Sequence, residues 1–151
     1  MKQGEVSIQI NAPADYVFSV IHDYSIRLKW DTMLSEARLL EGASTAAKGA
    51  ITRCVGHGWM KLFPVEAVYL TFKPGEVAAV KMINRSLVFR SFSATIRHKG
   101  NGDTSTVSYR YAFEVKPRFL KWLLQPIVNL TLNREVDARL QSLREYCETI
   151  A

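Results

Sequence analysis

Two segments rich in aromatic and β-branched residues, Phe89–His98 and Thr104–Val115, carry the side chains most able to do chemistry in this chain. Placing Asn101-Gly102 at the centre of a two-residue hairpin turn, where both positions accept positive φ, sets their pairing. Ile96 then faces Val107, Ala94 faces Tyr109, Phe92 faces Tyr111, and Arg90 faces Phe113. Side chains alternate with period two, so all of these share one face. That face holds large rings, one small gap, two phenol hydroxyls and a guanidinium at its far end. Phenols and a guanidinium can hydrogen-bond a ligand oxygen or polarise a carbonyl, while the rings offer apolar area. It reads as the wall of a pocket. An inward Arg90 would attract a carboxylate, phosphate or phenolate; at a strand end its head would sit in water.

The elements that must position this wall follow from periodicity. Glu5–Ile10 alternates, with Val6, Ile8 and Ile10 on one side, and Asn11-Ala12-Pro13 ends it. Pro13 suits a first helical turn and Asp15 complements the helix N-terminus. Val17, Val20, Ile21 and Tyr24 then recur at helical spacing, and Ser25–Thr32 is a second short helix with Ile26 and Trp30 at i and i+4. Strands are predicted at Ser35–Glu41, Lys48–Gly56, Lys61–Phe72, Val77–Ile83, Leu87–His98 and Thr104–Val115. Short turns join them: Gly42–Ala47, Gly56-His57-Gly58, Pro74-Gly75, Asn84-Arg85-Ser86 and Asn101-Gly102.

The last quarter is helical. Leu120, Leu124, Ile127, Val128, Leu132, Val136, Leu140, Leu143 and Cys147 form one apolar stripe, with Arg134, Asp137, Arg139, Arg144 and Glu145 mostly on the other side. Such a helix would run up to about 45 Å at 1.5 Å per residue. Pro126 predicts a bend or a break near its first third.

Strand, two helices, six strands and a long helix have one economical arrangement. It is an α+β fold: a strongly curved seven-stranded antiparallel sheet wrapped around the C-terminal helix, with the two short helices plugging one end. Space left between helix and sheet is a cavity. Residues 1–151 form a single domain, large enough to bury roughly 70% of its unfolded surface.

A second turn supports the inner face. A two-residue turn at Pro74-Gly75 pairs Tyr69 with Val80 and Ala67 with Met82, and on the opposite face Leu70 with Ala79 and Val68 with Lys81. The uncharged set points inward, because an unpaired buried charge is costly. A three-residue loop at Asn84-Arg85-Ser86 then sets Val80 and Met82 beside Arg90 and Val88. For Lys48–Gly56 two registers compete: one turns Ile51, Arg53 and Val55 inward, the other Ala50, Thr52 and Cys54. The candidate ligand-contacting set is therefore Trp30, Tyr69, Val80, Met82, Arg90, Phe92, Ala94, Tyr109, Tyr111, Phe113, Ile127 and Val128. Tyr109 and Tyr111 also read as core aromatics, Trp30 as a cap on the core, and Met82 as a gap-filler.

At Ser7-Ile-Gln-Ile-Asn-Ala-Pro-Ala-Asp-Tyr-Val-Phe18, then Asp23-Tyr24 and Trp30, the chain resembles the START-like helix-grip superfamily. Thr106-Val-Ser-Tyr-Arg-Tyr-Ala-Phe-Glu114 and the terminal amphipathic helix extend the likeness over essentially the whole chain. The branch it is most similar to is that of polyketide cyclases, dehydrases and lipid-transport proteins. The resemblance implies a hydrophobic cavity between long helix and sheet. It transfers no catalytic residue, because members share no single catalytic motif.

Bulk properties exclude several functions. A hydrophobic fraction of 48% with 23% charged residues is that of a globular protein. Met1–Glu5 leads straight into a strand and predicts no secretory signal, and Leu120–Leu132 is too polar to span a bilayer. Cys54 and Cys147 make no framework of paired cysteines, so a reducing cytoplasmic setting is expected. The +6 charge is scattered, with one modest cluster at Lys116, Arg118 and Lys121, so nucleic acid is not an expected partner. His22, His57 and His98 lack metal-ligand spacing, and neither metal nor cofactor is implied. His98, beside the hairpin tip, is expected to be exposed.

Binding or transport of a small hydrophobic molecule, a lipid, polyketide or aromatic metabolite, is the leading reading. The rival is an enzyme: a cyclase, aromatase or dehydratase whose pocket folds a polyketide-like chain, with Tyr109, Tyr111, Arg90 or an inward Arg53 polarising a carbonyl. A third reading takes Lys116–Leu124, basic and aromatic, as a weak contact for anionic membrane; against it stands a helix N-terminus packed by Phe119 and Trp122. The chain is expected to act as a monomer or weak dimer.

Overall fold

Seven antiparallel strands form one sheet in the order β1-β7-β6-β5-β4-β3-β2. The computed structural model describes residues 2–150, the side chains of residues 59 and 150 aside. The strands are β1 (Lys2–Ile10), β2 (Leu34–Leu39), β3 (Ile51–Gly56), β4 (Val65–Lys73), β5 (Val77–Met82), β6 (Phe89–Asn101) and β7 (Thr104–Val115). Helices α1 (Ala14–Ile21) and α2 (Arg27–Trp30) separate β1 from β2, and α3 (Lys121–Ile150) ends the chain. Short 3-10 turns lie at Gly58–Leu62 and Arg118–Leu120. Bulges in β2, β4 and β6 add twist, and the sheet curls into a half-barrel around α3.

The hairpin register differs from the sequence expectation by two residues. Asn101 pairs with Thr104, so Gly102-Asp103 is the turn centre, and only Gly102 needs a positive φ, of 68°. Ala94 therefore faces Tyr111, Ile96 faces Tyr109, Phe92 faces Phe113, and His98 faces Val107. An even slip keeps every side chain on its face. Arg90 does not follow the pattern: the bulge between Phe89 and Ser91 absorbs it, and it stands exposed while Phe89 turns inward. His98 is buried against the Phe18 ring, because α1 packs over this end of the sheet.

Between β4 and β5 two deviations cancel. The turn spans Pro74-Gly75-Glu76, one residue longer than expected, and a bulge at Leu70 restores the pairing of Tyr69 with Val80 and Ala67 with Met82. Leu70 itself has no partner opposite Ala79, which pairs with Thr71. The β5–β6 connection is longer than three residues, so Val80 lies beside Ala94 rather than Arg90, again an even slip. In β3 the competition is settled by charge: Arg53 points outward to Glu66 at 2.9 Å and Glu36 at 3.5 Å, which turns Thr52 and Cys54 inward.

Helix α3 runs without interruption through Pro126, whose missing N–H leaves one carbonyl of the first turn without its helical partner. Its C-terminal half is well buried: Val136, Leu140, Leu143 and Cys147 share one core cluster with Ile8, Ile10 and Val107 of the sheet and Val17, Val20 and Ile21 of α1. Its N-terminal half packs loosely, with Leu123, Ile127 and Leu130 about half exposed. Phe119 and Trp122 are exposed, so the packed N-terminus expected from sequence is not formed.

Gly4 pairs with Tyr111, whose ring lies so close over the Gly4 backbone that a Cβ there would overlap it. Tyr111 is fully buried and donates to Asn129 Oδ1 at 3.0 Å, so the ring cannot retreat without losing that bond. Gly4→Ala is expected to cost roughly 1–3 kcal/mol, read as a lower urea midpoint at unchanged slope. The neighbouring exposed Gln3→Ala should leave the midpoint within about 0.5 kcal/mol.

Candidate functional site

A cavity of about 320 Å³ lies between the loosely packed half of α3 and the concave face of β3–β7. From α3 it takes Ile127, Val128, Thr131, Leu132, Glu135 and Arg139, spaced one, three, one, three and four apart along one helical face. From the sheet it takes Thr52, Cys54, Ala67, Tyr69, Ala78, Val80, Phe89, Phe92, Ala94, Ile96 and Tyr109. Met60, Phe63 and Val88 come from the two connections at the open end. Ile127 both lines the cavity and is exposed, which puts it at the mouth.

The cavity thus brings together Tyr69, Val80, Phe92, Ala94, Tyr109, Ile127 and Val128 of the sequence-derived set. Met82, Tyr111 and Phe113 share the inner face but do not line the cavity and belong to the buried core. Trp30 is buried in the same core, beneath the guanidinium of Arg27 at 5.0 Å from its ring centroid. Arg90 lies outside altogether.

One end of the cavity is polar, and sequence reasoning missed most of it. His22 Nδ1 and Tyr69 Oη share a hydrogen bond of 2.7 Å, and Tyr69 Oη and Tyr24 Oη share another of 3.0 Å. Beside this relay stands a buried ionic group. Arg27 Nε donates to Asp31 Oδ2 at 3.0 Å, Arg27 Nη1 donates to the Ile21 carbonyl at 3.2 Å, and Arg139 Nε lies 3.5 Å from Asp31 Oδ1. Asp31 is wholly buried and its Oδ1 also accepts from the Met33 N–H at 3.2 Å. Arg139, placed by its sequence pattern on the solvent side, instead faces inward and makes no hydrogen bond through Nε. The available signals were the i, i+4 spacing of Arg27 with Asp31 and of Phe18 with His22.

Burial dominates the electrostatics. It raises the pKa of Tyr24, Tyr69 and Tyr109, opposed in each by Arg27 and for Tyr109 first by Arg139, so all three phenols are protonated donors at neutral pH. Burial likewise raises the Glu135 carboxyl, against the pull of Arg139. His22 is pushed down to about 3 by burial, then by Arg27 and His98, and is neutral. The arrangement can donate hydrogen bonds to a ligand oxygen and pass a proton along Tyr24–Tyr69–His22. Among the described residues no group of three His, Cys, Asp or Glu side chains converges to hold a metal.

His98, lowered to about 4 by burial, and His22 both flank the Phe18 ring. Their folded pKa values lie below the ordinary 6.5. The unfolded chain therefore binds more protons as pH falls below about 6.5, and stability drops through that window towards pH 4. Each histidine should contribute a loss of roughly 2–3 kcal/mol by about pH 4.5, seen as a lower urea midpoint than at pH 7.5. His98→Leu should flatten the dependence; an equal slope in that variant would refute the assignment.

Known proteins share this architecture. A START superfamily protein from Mycobacterium smegmatis superposes with a TM-score of 0.76 at 11% identity, over 99% of each chain. Zhui, an aromatase/cyclase from a Streptomyces species, gives 0.79 at 15% identity, over 97% of this chain and 93% of its own. Norcoclaurine synthase from Thalictrum flavum gives 0.70 at 14% identity, over 96% and 85%. No curated protein sequence matches the chain. At such identities the superpositions establish the helix-grip fold, and the sequence adds the rest: residues 1–148 match the family described as polyketide cyclase / dehydrase and lipid transport, to which this chain belongs.

Proposed function

We propose that this domain binds, and carries, a small hydrophobic molecule in the cavity between α3 and the sheet. The observation that supports it best is the cavity itself, about 320 Å³ with mainly apolar walls and a few polar side chains among them. That volume falls at the lower end of the range of about 300–1,000 Å³ usual for small-molecule sites. A lipid tail, polyketide or aromatic metabolite would lie against Val80, Phe92, Ile127 and Val128. An oxygen of the ligand would meet Tyr109, Tyr24 or Arg139. The reading invokes no cofactor and takes the domain as a cytoplasmic monomer or weak dimer. The free thiols of Cys54 and Cys147 are in keeping with a reducing compartment, the latter pushed up to about 12 by burial.

One observation favours an enzymatic reading as the second choice. The Tyr24–Tyr69–His22 relay and the guanidiniums beside it are the parts needed to polarise a carbonyl and move a proton. A cyclase, aromatase or dehydratase would use them on a chain folded by the pocket. The solved neighbours include an aromatase/cyclase, in line with such chemistry for that protein.

Native mass spectrometry of purified protein, with solvent extraction of what leaves it, tests the binding reading. A co-purifying or added apolar compound should bind, and Val128→Trp, which fills the cavity from a partly buried helix position, should weaken it at least about tenfold, with the thermal melt checking that the fold is kept. No binding by any compound, or binding indifferent to Val128→Trp, would sink it. Turnover of a bound polyketide-like chain that falls about a hundredfold or more in Tyr24→Phe with binding intact would promote the enzyme.

A further inference from the structure

The segments that border the cavity mouth differ from the rest of the chain in charge and in exposure. Residues 58–64 supply the lining side chains Met60 and Phe63, residues 83–90 supply Val88 and Phe89, and residues 116–127 lead to Ile127. These segments hold Lys61, Arg85, Arg90, Lys116, Arg118 and Lys121, and no aspartate or glutamate. The chain has 20 basic and 14 acidic residues, so everything outside them carries fourteen of each sign. The whole formal excess of +6 falls within these three segments.

The same segments expose apolar side chains. Phe119, Trp122 and Leu87 are 75%, 77% and 74% exposed, with Leu62 and Leu123 exposed beside them. A hydrogen bond of 2.9 Å from the Lys116 N–H to the Val88 carbonyl pins the second and third segments side by side. Water-facing rings and leucines in one cationic field satisfy no interior need. Contiguous exposed apolar area of this kind marks an interaction surface.

We propose that this face docks on anionic lipid membranes, with Phe119, Trp122 and Leu87 entering the headgroup layer and the six cations meeting lipid phosphates. Charge complementarity selects the occupant: an interfacial zone offers apolar depth and negative charge together, which matches aromatic and leucine side chains ringed by Lys and Arg. No described helix is long and apolar enough to cross a membrane, so the contact is peripheral. Docking would turn the cavity mouth towards the bilayer. It does not depend on what the cavity holds.

Flotation of the whole protein with phosphatidylcholine vesicles, against the same vesicles containing phosphatidylglycerol, tests it without any cavity ligand. Binding should require the anionic lipid and weaken as salt is raised. Each cation should be worth about fivefold in partitioning, so Lys116→Glu/Lys121→Glu should lower it by well over tenfold. Phe119→Ser/Trp122→Ser should abolish it, and Lys99→Glu, an exposed charge on the hairpin, should change little. Phe119 and Trp122 are exposed and Lys116 and Lys121 partly so, and unchanged thermal melts would confirm intact folds. Absence of flotation, equal binding to neutral vesicles, or equal loss in Lys99→Glu would overturn the proposal. So would concentration-dependent dimerisation abolished by Phe119→Ser/Trp122→Ser without vesicle binding, which would assign the face to a second copy of the chain.

Discussion

A single buried carboxylate holds three helices in place around the cavity. Asp31 at the end of α2 accepts from Arg27, which reaches back to the last carbonyl of α1, and it faces Arg139 from the middle of α3. Burying three charges is expensive and adds little net stability against a well-packed apolar alternative. Its value is geometric. Removing Asp31 would strand two largely buried cations, so the arrangement has no cheap competitor and α3 has one height above the sheet at Arg139. Below that point the helix sinks into the core; above it, the helix stands off.

This division explains why chemically similar side chains on one face have different fates. Phe113 and Tyr111 are fully buried in the core, and Tyr111 is tied to Asn129 of α3 by its hydroxyl. Phe92 and Tyr109 lie where α3 has lifted, and they line open space. Alternation along a strand decides which face a side chain takes. It says nothing about how near the opposite layer comes, which is a property of the whole helix and its anchor.

The same distinction sets what the amino-acid pattern could reveal. The seven strands, their antiparallel order and the long helix were legible because period-two and helical repeats are local. The inner face was legible too, since every register error between Ile96 and Val107, or Val80 and Arg90, was even and preserved facing. Arg90 was misplaced because a bulge leaves no mark in the alternation. His98 was misplaced because α1 covers it from far away in sequence. The polar end was hidden for a similar reason: Tyr24, Tyr69 and Arg139 come from three distant segments, and Arg139 sits among charged residues that do point to water. The i, i+4 spacings of Arg27 with Asp31 and of Phe18 with His22 offered the local hints.

Because the terminal helix is anchored at Arg139 and more exposed towards its start, core packing and cavity lining draw largely on separate residues of one element. Ile127 is more than half exposed, whereas Leu140 and Leu143 are buried in the core. Selection can therefore reshape the hollow through that half-turned stretch with little penalty to the scaffold. One framework can diverge towards many molecules.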